Sequence, residues 1–415
     1  MSAFMDAALA ATAHMHRVFE PTPLQRNAHL SALYGADIWL KREDLSPVRS
    51  YKIRGAFNAM RKVRAAQPDQ TQFVCASAGN HAQGVAFACR HFGVQGTIFM
   101  PVTTPQQKIM KTKTFGGDAI QVRLEGDYFD DTLAAAKAFC AEVSGHFLAP
   151  FDDPDVIEGQ ASVTVEMLDQ LGQAPDALIM PVGGGGLSSG ARLYLNDAGA
   201  ATELWLVEPA GGASLTAALV HGAPSALNQV DNFVDGAAVA RIGERNFAAL
   251  AGTPPDHVLV AEENRICTTL LDMLNIEGIV LEPAGALAVD ALKDIQDLIS
   301  GKTVVCVTSG GNFDFERLPE VKERALKYSG VKKYFIPRLP QRPGALKDFL
   351  SLLGPDDDIA RFEYLKKSAR NFGSVLIGIE TAHADNFDRL TAGMDAMGFT
   401  YTDITQNDTL AEFVI

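Results

Sequence analysis

The residues of this chain whose types and spacing can do chemistry are Lys52 in RSYKIRGAF, the loop SAGNHAQG (77–84), the four glycines Gly183 to Gly186, and the loop TSGGN (308–312). Glycine carries no Cβ, so a run of it lets successive backbone amides turn toward one point, and a following helix adds the positive end of its dipole. Gly183 to Gly186 follow the apolar run ALIMPV (177–182) and precede a helix expected to start near Leu187. That arrangement predicts an anion cradle with a phosphate as its guest. A dinucleotide turn needs a third glycine where Ser188 and Ser189 stand, and there is no Walker lysine, so neither nucleotide fingerprint is met. SAGNHAQG repeats the device: Ser77 and Asn80 can cap a helix start whose free amides hold a second anion, such as a carboxylate. Ser309 offers a hydroxyl at a strand end, where open α/β sheets bind ligands.

Lys52 stands at the start of an amphipathic helix that buries Ile53, Ala56 and Phe57. Most lysines are solvated surface residues. Beside a phosphate cradle, a desolvated amine gains another role, because it can form a Schiff base with a carbonyl. A phosphate-bearing aldehyde that suits an α/β cleft is pyridoxal 5'-phosphate. The positive helix end favours the neutral, nucleophilic amine.

These groups need rigid strand ends to hold them. From residue 70 onward, short β-rich runs alternate with helical stretches, which predicts βαβ units and a parallel sheet. The strand candidates are FVCA (73–76), TIFMP (97–101), AIQVRL (119–124), HFLAP (146–150), ALIMPV (177–182), LWLVEP (204–209) and the run leading into VVCVTSGGN (304–312). Strands apolar throughout are buried on both faces. Beyond the helix PEVKERALKYSG the pattern becomes βαββαβ in about 85 residues, a separate ferredoxin-like domain. The expected organisation is a main domain at 1–320 with a small subdomain at roughly 45–150, a linker at 321–331 and a separate small domain at 332–415.

The 415-residue length calls for two domains or more, and 47% hydrophobic with 21% charged residues is globular composition. A net charge of -14 without basic clusters argues against nucleic acid or an anionic membrane surface as partner. With no signal-like N-terminus and no long apolar run, a cytoplasmic location is expected. The five cysteines are scattered, without metal-ligand spacing, and read as small buried apolar residues.

SYKIRGA, SAGNHAQG, PVGGGGL and TSGGN, in that order across some 260 residues, resemble the fold type II pyridoxal-phosphate enzymes of the serine and threonine dehydratase group, whose fold is tryptophan synthase β-like. The segment with RPGAL at 342–346 is similar to the single ACT-like domain of the shorter biosynthetic threonine dehydratases. The resemblance implies that Lys52 carries the cofactor and moves the Cα proton, and that Asn80 meets the cofactor 3'-oxygen. It further implies that Gly183, Gly184, Gly185, Gly186 and Leu187 hold the phosphate, that Ser309 meets the pyridine nitrogen, and that Ser77, Ala78, Gly79, Asn80 and His81 take the substrate carboxylate. A serine hydroxyl at the ring nitrogen makes a weaker electron sink than a carboxylate partner would, which favours prompt β-elimination. Related racemases carry SSGN where this chain has Ala78, so racemisation is disfavoured. Glu208 is expected to help bind a structural cation, although EPAGGAS lacks the usual downstream acid.

The implied reaction is loss of water and ammonia from L-threonine to give 2-oxobutanoate, with L-serine a poorer substrate and L-isoleucine the feedback effector. A homo-oligomer, dimer or tetramer, is expected. The rival readings are a serine dehydratase, a hydroxyaspartate ammonia-lyase or another β-eliminating enzyme of the same fold, and a non-catalytic amino-acid sensor.

Overall fold

A computed structural model describes residues 2–365 and 372–407. The chain divides into two compact units between Phe315 and Glu316. The first unit holds β1 (Leu24–Arg26), β2 (Asp37–Arg42), β3 (Gln72–Ala76), β4 (Gln95–Met100), β5 (Ile120–Leu124), β6 (His146–Phe147), β7 (Ala177–Pro181), β8 (Glu203–Pro209), β9 (Val258–Ala261) and β10 (Thr303–Thr308). They form two sheets. The larger has the order β1-β2-β10-β7-β8-β9 and is parallel except for β1, which runs antiparallel to β2. The smaller, β5-β4-β3-β6, is parallel throughout and lies in sequence between β2 and β7. Every residue of β7 is buried, as a strand covered by helices on both faces must be.

Glycines set how closely the helices around the site approach. The helix Pro154–Leu171 is capped by Asp153, whose side chain accepts from the N–H groups of Asp155 and Val156. A Cβ on its Gly159 would stand 2.5 Å from Arg54 O, in the helix Lys52–Ala66. A Cβ on Gly190 would stand 2.7 Å from Ile157 O. The helix that opens at Lys52 and the one that follows the four glycines therefore both lie backbone to backbone on the same central helix.

In the second unit, the stretch 321–331 expected as a linker is mostly occupied by the helix Leu318–Tyr328. Val321 and Ala325, one turn apart, are buried, and Glu320 pairs with Arg317 and Arg324. One apolar face and a charged opposite face make this segment an ordered helix rather than a spacer. It is followed by β11 (Lys332–Pro340), the helix Ala345–Leu350, β12 (Asp357–Leu365), β13 (Phe372–Thr381), the helix Asn386–Ala396 and β14 (Thr400–Asp403). The sheet order is β12-β13-β11-β14 with antiparallel neighbours, the ferredoxin-like arrangement. Phe335, Phe349, Ile377 and Phe387 lie in its core. Residues 408–415 of the expected regulatory domain fall outside the described residues.

Candidate cofactor and active site

The segment before Lys52 is stitched to the end of β10. Tyr51 N donates to Ser309 O at 3.1 Å, Gly311 N donates to Arg49 O at 2.9 Å, and Ser50 forms a bridge with Gly310. Lys52 and TSGGN are thus neighbours by main-chain hydrogen bonding. The Lys52 amine is partly buried, donates to Pro150 O at 3.0 Å, and lies 5.3 Å from the Tyr51 ring centre and 5.9 Å from that of Phe151. Burial pushes its pKa down to about 8, and the Glu282 carboxylate opposes that shift.

SAGNHAQG enters the same place from the small sheet. Its helix begins at Asn80 after Gly79, with no side-chain cap, so the first-turn amides have no intrahelical acceptor. A Cβ on Gly84 would stand 3.0 Å from Lys52 O and 3.1 Å from Ile53 Cα, so glycine there lets the helix rest on the Lys52 backbone. Ser77 Oγ accepts from Gly79 N at 3.2 Å. The His81 ring is buried, with Nε2 3.0 Å from Leu148 O. Burial, then the charge of Lys52, lower its pKa to about 3, which keeps the ring neutral. Only the main chain of His81 is therefore available to a substrate carboxylate.

The Asn80 side chain joins the two halves of the unit. Nδ2 donates to Glu282 Oε1 at 2.6 Å, and Oδ1 accepts from Asn312 Nδ2 at 2.8 Å. The glycines of TSGGN and EPAG have the same explanation. A Cβ on Gly310 would fall 2.1 Å from Glu282 Oε1, and one on Gly285 would fall 2.1 Å from Gly310 O. The buried Ser309 hydroxyl donates to Ala284 O at 3.2 Å. Sequence reasoning missed Glu282. The available signal is an acid directly ahead of the wholly apolar PAGALAV.

Gly183 to Gly186 connect β7 to the helix Gly186–Ala198, which opens one residue ahead of the expected Leu187. Gly185 has φ +90°, in the left-handed region. A Cβ on Gly184 would meet the Phe151 ring at 2.2 Å, and one on Gly183 would meet Ala237 at 3.0 Å. The loop carbonyls are engaged: Asn246 Nδ2 donates to Gly184 O at 2.7 Å and Ser189 Oγ donates to Gly185 O at 2.7 Å. Ser188 Oγ donates to Pro181 O at 3.1 Å. The two serines at the place of a third dinucleotide glycine therefore brace the loop. Phe151, close to both Gly184 and the Lys52 amine, links this cradle to the lysine.

Glu208 is buried beside the start of another helix. Its Oε1 accepts from Leu215 N at 2.6 Å, and its Oε2 accepts from Thr216 N at 2.8 Å and Thr216 Oγ1 at 2.7 Å. It thus serves the start of the helix Ser214–His221. Burial raises its pKa to about 7 against those hydrogen bonds. Among the described residues, no group of three or more His, Cys, Asp or Glu residues could hold a metal ion.

Two residues after Lys52 in the same helix, Arg54 is the centre of a buried ion network. Arg54 Nε bonds Glu43 Oε2 at 2.7 Å, and Nη1 and Nη2 each bond a Glu166 oxygen at 2.7 Å. Lys41 Nζ bonds the same Glu166 at 2.7 Å, and all four residues are buried.

A partly buried amine linked through Phe151 to a glycine cradle fits a phosphate-bearing carbonyl cofactor. Residues 16–310 match the family described as pyridoxal-phosphate dependent enzyme. The chain belongs to that family. Residues 323–414 of this pyridoxal-phosphate-dependent enzyme match the C-terminal regulatory domain of threonine dehydratase. The chain is 47% identical over 395 residues to the biosynthetic L-threonine dehydratase IlvA of Bacillus subtilis, covering 95% of this chain and 93% of that one. With the protein of the same name from Halalkalibacterium halodurans the identity is 45%, covering 95% of each. The structure of processed threonine deaminase isoform 2 from Solanum lycopersicum superposes with a TM-score of 0.72 at 35% identity, covering 78% of this chain and 94% of that one. Among the described residues, no helix is long and apolar enough to cross a membrane.

Proposed function

We propose that this enzyme converts L-threonine to 2-oxobutanoate and ammonia under feedback control by L-isoleucine. The observation that carries the reading is the Lys52 amine, lowered to about 8, beside two amide-rich helix starts, in a chain that matches threonine dehydratases through both units. Pyridoxal 5'-phosphate, when bound, supplies the electron sink that weakens the Cα–H bond. Gly183 to Leu187 take its phosphate, Asn80 its 3'-oxygen and Ser309 its ring nitrogen. The amides of Ala78 to His81 orient the substrate carboxylate, with Ser77 bracing the turn. Lys52 Nζ takes the Cα proton, and a pKa of about 8 leaves a useful neutral fraction at neutral pH. Tyr51 and Phe151 shield that amine from water.

The second unit supplies the control. It contains a cavity of about 540 Å³ lined in part by Arg342, Pro343, Gly344, Leu346, Lys347 and Tyr364, the RPGAL segment and its surroundings. Apolar walls with two cationic side chains suit a small branched amino acid and its carboxylate. An effector that binds a low-activity state more tightly by about 1 to 3 kcal/mol is sufficient for control. A unit this small buries little surface alone, so it pairs with a second copy in a homo-oligomer. The five free, buried cysteines fit a reducing cytoplasm.

Ketoacid release from L-threonine and L-serine, each with and without L-isoleucine, tests the reading. Threonine is expected to exceed serine by about 10-fold or more in kcat/KM, the worth of one methyl group in an apolar pocket. Isoleucine should inhibit the full chain and leave a soluble, active chain ending at Phe315 unaffected. Inhibition that survives the truncation would place the effector in the catalytic unit, and absence of threonine turnover would overturn the reading. In the same assay Ser309→Ala should retain the cofactor's visible band and lose about 10-fold in kcat, through loss of one hydrogen bond of about 1 to 1.5 kcal/mol. Parental kcat in that variant would remove Ser309 from the mechanism.

A further inference from the structure

Glu282 is a buried carboxylate that none of these steps uses. It stands immediately before the helix Pro283–Asp290 and is 6% exposed. Its N–H donates to Gly310 O at 3.1 Å, and its carboxylate fills the space where a Cβ on Gly310 would be. It is therefore held on both sides by the loop that also carries Ser309. On its free edge, Oε1 accepts from Asn80 Nδ2 at 2.6 Å, while Asn312 donates to Asn80 Oδ1 at 2.8 Å. Turning the Asn80 amide over would set donor against donor at Asn312 and oxygen against oxygen at Glu282. The amide consequently has one orientation, which leaves the second N–H of Nδ2 for another acceptor.

We propose that Glu282 is a positioning residue: its carboxylate locks the Asn80 amide so that the second N–H faces the cofactor ring, and its negative charge is the counter-charge of the Lys52 nitrogen. The proposal rests on Asn80 contacting the cofactor. The other charged groups that bear on Glu282 are Asp235, Lys108 and Lys111. Burial, and then Asp235, raise its pKa to about 7, against the Asn80 hydrogen bond and the two lysines. The counter-charge is thus present above neutrality and fades as pH falls, a dependence that an uncharged acceptor would lack.

The test is a titration of the metal-free apoenzyme of four full-length proteins, parent, Glu282→Ala, Glu282→Gln and Asn80→Ala, with pyridoxal 5'-phosphate. The readouts are the dissociation constant and the midpoint of the pH titration of the visible band, with circular dichroism to verify folding. Glu282→Ala is expected to weaken binding by about 10-fold or more, because Asn80 loses a charge-assisted partner. Glu282→Gln keeps an oxygen that accepts from Nδ2, so binding should stay within about 3-fold of the parent. Its band midpoint should fall by about one pH unit, since the positive nitrogen has lost its counter-charge. Parental affinity in Glu282→Ala with weakened binding in Asn80→Ala overturns the proposal and leaves the role of Asn80 intact. Parental affinity in both means that the reading of Asn80 has failed. If Glu282→Ala does not fold, Glu282→Gln decides alone, and a parental midpoint overturns the proposal.

Discussion

Replacing Lys52 by alanine is expected to lower L-threonine turnover by about 10,000-fold or more and to remove the visible band of the protein-linked cofactor. In the proposed mechanism the side chain serves two steps, covalent attachment of the cofactor and proton transfer at Cα, and two other lysines of the unit are already engaged. Lys41, the buried lysine of the same unit, is saturated by Glu166, Thr22 O and Gln170. Lys108 is paired with Asp235. Absorbance spectra and 2-oxobutanoate release on one preparation check this, and substantial turnover in the variant would end the assignment. The same variant should melt near the parent apoenzyme, because the lysine contributes chemistry rather than packing.

The second large effect is on stability. Arg54→Met should destabilise the catalytic unit by about 3 to 5 kcal/mol, since it leaves Glu43 buried without its cation and Glu166 with only Lys41 of its two buried cations. Glu43 and Glu166 are both shut off from water, and four of the hydrogen bonds they receive come from Arg54. Burial by itself raises the pKa of Glu166, but Arg54 and Lys41 outweigh it and hold the carboxyl below its ordinary 4.5. For a depressed carboxyl the stabilisation is fully present above about pH 4.5 and is lost as pH falls through the folded-state value. Denaturant unfolding at pH 7 and pH 4 should therefore show a gap between parent and variant that narrows in acid. An equal gap at both pH values would show that Arg54 acts by packing alone.

The parts of the site visible in the sequence are those where backbone geometry restricts residue type. Four glycines in a row, or a glycine beside asparagine after a strand, record a close approach that no other residue permits, and Gly184 against Phe151 shows the restriction directly. Asn80 and Ser309 each stand inside such a stretch, whereas Lys52 was singled out by its family-like motif, and the structure brings the three together. Glu282 was not readable, because its partners are 202 residues away at Asn80 and in the loop at Gly310, and no local spacing encodes either. Glu208 was legible only as an acid at a strand end; that it accepts from the amides of the next helix has no local signature in the sequence. The main strands of both sheets follow from their apolar runs. The antiparallel β1 does not, since three residues, half-buried or exposed, carry no periodicity. The second unit was legible as βαββαβ, and PEVKERALKYSG as a helix, but with a buried stripe of only Val321 and Ala325 nothing in its sequence assigned that helix to the second unit rather than to a linker.

The bonds from Asn80 to Glu282 and Asn312 span 202 and 232 residues of chain, and the consequence is one of timing. During synthesis Lys52 and Asn80 leave the ribosome first and the glycine cradle second. At about 5 to 20 residues per second, the partners of Asn80 follow it on the order of ten to fifty seconds later. Until then, on the proposed roles, the lysine would have a seat for phosphate and none for a ring. Birth order alone makes firm capture of the cofactor a late event in the life of the nascent chain.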